Sequence, residues 1–197
     1  MSSVLAVPRI TDEEYLALER KAQTKSELIH GYMHAMAGAT REHNLVAFNV
    51  AGQFYAQLKG RPCEAYMGDM RVKVWAAGLY TYPDVVIACG DIQFEDAQGD
   101  TLLTPTVIIE VLSPSTEACD RGAKFAHYRR LPTLQEYVLI AQDRASVEHY
   151  LRQGDQWVLS EANDLAATVQ LPTVGCHLLL SDVYDKVEFP EPELAPA

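Results

Sequence analysis

The order of apolar and polar positions predicts most of the elements before any chemistry is considered. "TDEEYLALER" places Glu14 three residues after Thr11, the spacing of a capping box, and predicts a short helix. "KSELIHGYMHAMAG" has apolar residues at intervals of about two around Gly31 and predicts a hairpin of two short strands. In "TREHNLVAFNVAGQFYAQLKG", Leu45, Phe48, Val50, Phe54, Tyr55 and Leu58 recur at helical spacing, which predicts a long helix from near Thr40 to Gly60. "CEAYMGDMRVKVW" alternates around Gly68 as two strands do, and "YPDVVIAC" is a buried strand. "DIQFEDAQGD" reads as a loop. "PTVIIEVLS" is the most apolar strand and so belongs in the middle of a sheet.

A helix follows, from about Ser115 to Arg130, with Ser115 or Thr116 as its cap. "QEYVLI" is a second buried strand, and a strand–helix–strand crossover of this kind is normally parallel and right-handed. "ASVEHYLRQGDQWVLS" predicts two strands around a Gln-Gly-Asp turn, and "VGCHLLLSDVYDKV" a strand and a short helix. The whole is a mixed α/β, or α+β, arrangement. No repeat or linker divides it, so residues 1–189 are expected to form one domain and the Pro/Glu-rich residues 190–197 a disordered tail.

Composition narrows the function classes. In 197 residues there is no apolar run of membrane-spanning length, and "MSSVLAVPRI" has no basic start or long apolar stretch of a signal peptide. Cys63, Cys89, Cys119 and Cys176 are scattered without a CxxC pair, which predicts reduced cysteines in a cytoplasmic protein. A net charge of −11 argues against a non-specific nucleic-acid coat. Charge is uneven, however. "DRGAKFAHYRR" carries four bases and one acid, and its Arg121, Arg129 and Arg130 are candidates to meet a phosphate backbone.

Two apolar strands each hold one carboxylate, Asp84 after Pro83 and Glu110 near the exit of its strand. A carboxylate in a strand that otherwise reads as core needs a partner. If the strands are neighbours, both acids reach one point at a sheet end. Two carboxylates there repel unless a cation lies between them, and an all-oxygen site suits Mg²⁺ or Mn²⁺. Such an ion can activate water in phosphodiester cleavage. The helix start near Pro114–Thr116 points a positive dipole end to the same region, and Asp120, Lys124 and Tyr128, four apart, lie near one helix face. Lys124 is then placed to orient the attacking water or to neutralise a phosphate oxygen.

With "SELIHGYMHAMAGATREHN", "YPDVVI", "IIEVLSPST", "DRGAKFAHYRRLPTLQEYVLI" and "VEHYLRQGDQWVL" in order, the chain resembles the Uma2-like (DUF820) family of restriction-endonuclease-like proteins, in the PD-(D/E)XK nuclease superfamily. The resemblance implies a restriction-endonuclease-like fold, a central mixed sheet flanked by helices, and a metal-dependent nuclease that cleaves DNA. Pro83–Asp84 then matches the "PD" and Glu110 the "(D/E)". The superfamily lysine falls at Leu112, a departure that shifts its role to Lys124 or leaves catalysis impaired. Asp84 and Glu110 would hold the metal, with the Val111 carbonyl as a third ligand, and Glu27 or His43 are the residues an early element would add. The alternatives are a nuclease-fold binding module and a metal-dependent hydrolase of a smaller phosphoester. Two strands need two cuts, so a homodimer is the symmetric expectation, with the apolar strands as a source of interface.

Overall fold

The computed structural model describes residues 9–190. Residues 1–8 and 191–197 lie outside that range, and with them nearly all of the tail expected over 190–197.

The chain opens with helix α1 (Asp12–Glu19), and its capping box forms as the spacing predicts: Glu14 N–H donates to Thr11 Oγ1, and Thr11 N–H to the Glu14 carboxylate. The hairpin β1 (Ser26–Ile29) and β2 (Tyr32–Ala35) turns at His30-Gly31, both at positive φ. Helix α2 (Arg41–Leu58) starts at the Thr40 cap. It buries Val46, Ala47, Val50, Phe54 and Leu58, whereas Phe48 and Tyr55, seven apart on another stripe, face outward at 69% and 71% exposure. Strands β3 (Cys63–Met67) and β4 (Arg71–Val74) flank Gly68, and β6 (Val85–Cys89) follows Asp84. Three short strands are not expected from the sequence: β5 (Leu79–Thr81), β7 (Thr101–Leu102) and β12 (Thr168–Leu171).

Strand β8 (Val107–Leu112) is buried along its whole length and runs parallel to β9 (Glu136–Ala141), as expected for two strands joined by a crossover. Strands β10 (Val147–Gln153) and β11 (Gln156–Ala162) form the second hairpin; β13 (Cys176–Leu179) and α5 (Leu180–Val183) complete the chain. One mixed sheet has the order β11-β10-β9-β8-β6-β3, and a second the order β2-β1-β5-β4-β7. The apolar strands β8 and β9 thus lie inside the larger sheet. They are covered within the chain and offer no dimer face, contrary to expectation.

Side chains alternate between two cores. Val85, Ile87, Val107, Ile109, Val111, Val138 and Ile140 face α2, β12, β13 and α5. Val86, Ala88, Ile108, Leu112 and Leu139 face the other way, against β4, β5 and the connection from β8 to β9.

That connection is helical over residues 117–128, inside the span expected for one helix (Ser115–Arg130), but a π turn interrupts it. It consists of a three-residue turn α3 (Glu117–Cys119), a π turn (Asp120–Lys124) and α4 (Phe125–Tyr128). The expected hydroxyl cap is absent: Ser113 Oγ lies 3.0 Å from both the Ser115 and the Thr116 hydroxyls, so these groups satisfy one another.

The cysteines also depart from expectation. Cys63 and Cys89 face each other across β3 and β6 with Cα atoms 4.2 Å apart, and they form a disulfide. Scatter along the sequence hid a pairing that the sheet register creates. It also removes the cysteine argument for a cytoplasmic location. Closing a 26-residue separation is worth about 3.5 kcal/mol in the chain-entropy account. Urea melts of the Cys63→Ser/Cys89→Ser variant should therefore lose about that much stability, and dithiothreitol should destabilise the wild type but not the variant. Among the described residues no helix is long and apolar enough to cross a membrane.

Candidate active site

The antiparallel register of β6 and β8 pairs Val85 with Ile109, and one step further along the ladder sets Asp84 opposite Glu110. Asp84 Oδ2 accepts a hydrogen bond from Val111 N–H at 2.7 Å and lies 3.4 Å from His43 Nε2. His43 stands in the first turn of α2, where its own N–H donates to the capping Thr40 Oγ1 at 3.1 Å. Thr40 Oγ1 in turn donates to Gln142 Oε1 at the end of β9, so the helix start is tied to the sheet. Burial works to lower the His43 pKa, but the Asp84 carboxylate and the Val111 carbonyl more than offset it, and the pKa is raised.

Glu27 arrives from β1 in the second sheet. Its Oε1 is 3.0 Å from Lys124 Nζ, which also lies 3.4 Å from Glu110 Oε1 and 3.3 Å from Asp120 Oδ1. The lysine is buried at 8% exposure rather than solvated. Tyr128 Oη donates to Glu110 Oε1 at 2.9 Å and sits 2.8 Å from Thr81 Oγ1. The π turn explains how Asp120, Lys124 and Tyr128 all face the same point. In a pure α-helix, residues four apart drift by about 40° per step. A π turn is wider, and here it absorbs part of that drift.

One ammonium therefore serves three buried carboxylates. Burial lowers the Lys124 pKa, but Glu110, Glu27 and Asp120 reverse this and hold it well above its usual value. Glu110 is raised well above the usual carboxylate range: burial dominates, Lys124 opposes it, and Asp120, Asp84 and Glu27 add to it. A shared lysine stays charged without fully compensating each acid. Asp120 Oδ1, though at ion-pair distance from Lys124, has no hydrogen-bond partner. The excess of buried oxygen anions over cations suits a further hard cation. No three His, Cys, Asp or Glu side chains among the described residues close around one point as a ready cage.

The fold thus brings Asp84, Glu110, Val111, His43, Glu27 and Lys124 to one end of the larger sheet. Glu27 joins on the Lys124 side and His43 on the Asp84 side. Leu112 is buried on the same face of β8 as Glu110 and packs in the core between the sheets, while Lys124 reaches Glu110 from the connection. Three other polar groups are employed elsewhere. Asp69 pairs with Lys25 at the Gly68 turn, and Ser113 bonds to its neighbouring hydroxyls. Arg121 is held by Glu117 and Glu148, so it is not free for a phosphate backbone. The fourth carboxylate, Asp120, was visible in the sequence only as a helical neighbour of Lys124.

Comparison with known proteins places this geometry. Residues 12–181 match the model of the Uma2 family, described as "Putative restriction endonuclease". The chain belongs to the Uma2 family. Two Synechocystis relatives extend over most of it: the uncharacterized protein sll1609 is 38% identical over 162 residues, 82% of this chain and 92% of that one. The uncharacterized protein slr1290 is 31% identical over 185 residues, 92% of this chain and 95% of that one. A crystal structure from Anabaena variabilis, described as "a putative nuclease belonging to DUF820", superposes with a TM-score of 0.75 at 21% identity, over 91% of this chain and 99% of that one. At that identity the likeness establishes the fold, which is restriction-endonuclease-like.

Proposed function

We propose that this Uma2 protein is a divalent-metal-dependent nuclease that hydrolyses phosphodiester bonds of DNA. The observation that carries the reading is the facing of Asp84 and Glu110 across the β6–β8 ladder, with Lys124 Nζ 3.4 Å from Glu110. Family membership supports it. Asp84, Glu110 and the Val111 carbonyl would hold Mg²⁺ or Mn²⁺, with Glu27 or His43 joining them. Mg²⁺ is commonly held by one or two carboxylates and several waters, so a closed protein cage is not required. When bound, the ion would polarise a phosphate oxygen and lower the pKa of a bound water.

The remaining groups position and balance charge. Tyr128 fixes the Glu110 carboxylate by its hydroxyl, itself held at Thr81. Asp84 is oriented by Val111 N–H and by His43. Lys124 takes over the place left by Leu112. Its ammonium, anchored by Asp120 and Glu27, can orient the attacking water or meet the negative charge that develops on phosphorus oxygens.

The test combines titration calorimetry with cleavage of plasmid, linear and single-stranded DNA in Mg²⁺ or Mn²⁺. Wild type should bind the ion at millimolar concentration or below and cut DNA; Asp84→Ala should do neither. Cleavage undiminished in Asp84→Ala would overturn the site. Metal binding without cleavage of any nucleic acid would favour a smaller phosphoester, and absence of both would favour a binding module.

A further inference from the structure

Most cations of this acidic chain are already matched to acids. Arg20, Arg71, Lys73, Arg121 and Lys124 each sit in an ion pair with one or more carboxylates. Among the described residues that make no such pair, Arg9, His30, His127, Arg129 and Arg130 lie on the β1–β2 turn, on the residues before β1 and on α4 with the residues that follow it. His30, at the β1–β2 turn, packs edge-to-face on His127 of α4 with ring centroids 5.0 Å apart. Arg130 Nη1 bonds the Ala76 carbonyl at 3.3 Å, and Arg129 lies over the Phe125 ring at 5.0 Å. On the other side of the turn, a Cβ placed on Gly31 would meet the Arg9 side chain at 3.1 Å. Among the described residues none of these five makes an ion pair with a carboxylate. Burial lowers the pKa of His127, and His30 and Arg130 beside it add to the shift. Its Nδ1 is buried without a hydrogen-bond partner.

Three guanidinium groups without a counter-acid, flanking two histidines in a chain of net charge −11, make a surface suited to an anion from outside. Its position says which. His127 lies three residues beyond Lys124, one turn along the connection, or about 4.5 Å of rise. His30 lies three residues beyond Glu27 on β1, about 10 Å of strand. That is roughly three base steps of duplex DNA from the catalytic end. We infer that Arg9, His30, His127, Arg129 and Arg130 form a backbone-binding strip that holds duplex DNA through phosphates flanking the scissile bond. Guanidinium groups supply the charge, and a histidine N–H can donate to a phosphate oxygen in either protonation state. The inference deepens the nuclease reading and rests on it for the substrate, but its test does not need catalysis.

Anisotropy of a labelled 24-mer duplex, read in EDTA across a salt series, measures the strip directly. Arg129→Gln/Arg130→Gln should weaken binding by about tenfold at low salt and lower the slope of log K against log salt by about 2, close to one per phosphate contact. Adding His30→Gln/His127→Gln should weaken it further, whereas Lys59→Gln, at the far end of α2, should change neither quantity. The single variants Arg130→Gln and His30→Gln, both at exposed positions, keep the test valid if the multiple variant melts early. Unchanged affinity and slope in both singles and the combined variant overturn the strip. So does recruitment of phosphatidylserine vesicles by these side chains without binding of duplex. Binding that depends on the strip in a wild type that never cleaves would uphold it while sinking the nuclease reading. Cleavage with no dependence on the strip would do the reverse.

Discussion

Lys124→Met should destabilise the protein by about 3–5 kcal/mol at pH 7, because removing one partner of a buried ion cluster leaves the others uncompensated. Here the abandoned groups are Glu27, Glu110 and Asp120, which share that single ammonium. The sign of the pH dependence follows. Without Lys124, which opposes the shift, the folded-state pKa of Glu110, already raised by burial, rises further above its unfolded value. A carboxyl with a raised folded pKa contributes stability that is present below the unfolded pKa, near 4.3, and lost as pH rises through the folded value. The deficit of Lys124→Met should therefore shrink between pH 7 and pH 4.5. Urea denaturation at the two pH values measures it; an equal deficit at both would mean that the lysine contributes packing and not charge balance. DNA cleavage by the same variant should fall by about 100-fold or more, the scale of losing one preorganised charge at a reacting phosphate.

Glu110→Gln should behave oppositely in stability and alike in activity. The Glu110 carboxyl is raised well above its ordinary value, chiefly by burial, so its ionisation costs folding free energy at neutral pH. Removing that ionisation, while Glu27 and Asp120 still hold Lys124, should raise stability at pH 7 by on the order of 1 kcal/mol. The gain should fade towards pH 4, where wild-type Glu110 is protonated. Cleavage should drop by about 1,000-fold, since losing a metal-holding carboxylate removes several kcal/mol of charge stabilisation. A variant that melts earlier than wild type at pH 7 would show that Glu110 is fully compensated by Lys124 and Tyr128. A stable but inactive Glu110→Gln, beside an unstable and inactive Lys124→Met, separates the two kinds of buried charge in this site.

What the sequence disclosed follows from the range of each interaction. Local signals survived intact: the capping box at Thr11, the Thr40 start of α2, and the turns at Gly31 and Gly68 depend on residues a few positions apart. Asp84 and Glu110 stood out because each interrupts an apolar strand, and an isolated buried charge is conspicuous in any one-dimensional pattern. The Cys63–Cys89 pairing was invisible because it comes from register between β3 and β6, which no local rhythm encodes. Likewise, the connection between β8 and β9 reads as one helix by spacing, while tertiary contacts to Glu27, Glu110 and Thr81 favour a π turn. Arg121 illustrates the same limit. A basic segment shows its charge but not its partners, and Glu148, which holds this arginine, lies 27 residues away.

The facing of Asp84 and Glu110 by ladder register sets which sequence changes the site can tolerate. Distance along the ladder is counted in residues of β6 and β8, not in residues of the chain between them. The acidic segment at 90–106 can therefore gain or lose residues across the family with the two acids still opposed, because its length enters neither strand. One residue inserted inside β6 or β8 would turn its acid to the opposite face of the sheet, into the apolar core under α2. Length variation among Uma2 chains should accordingly gather in that segment and stop sharply at Cys89 and at Val107.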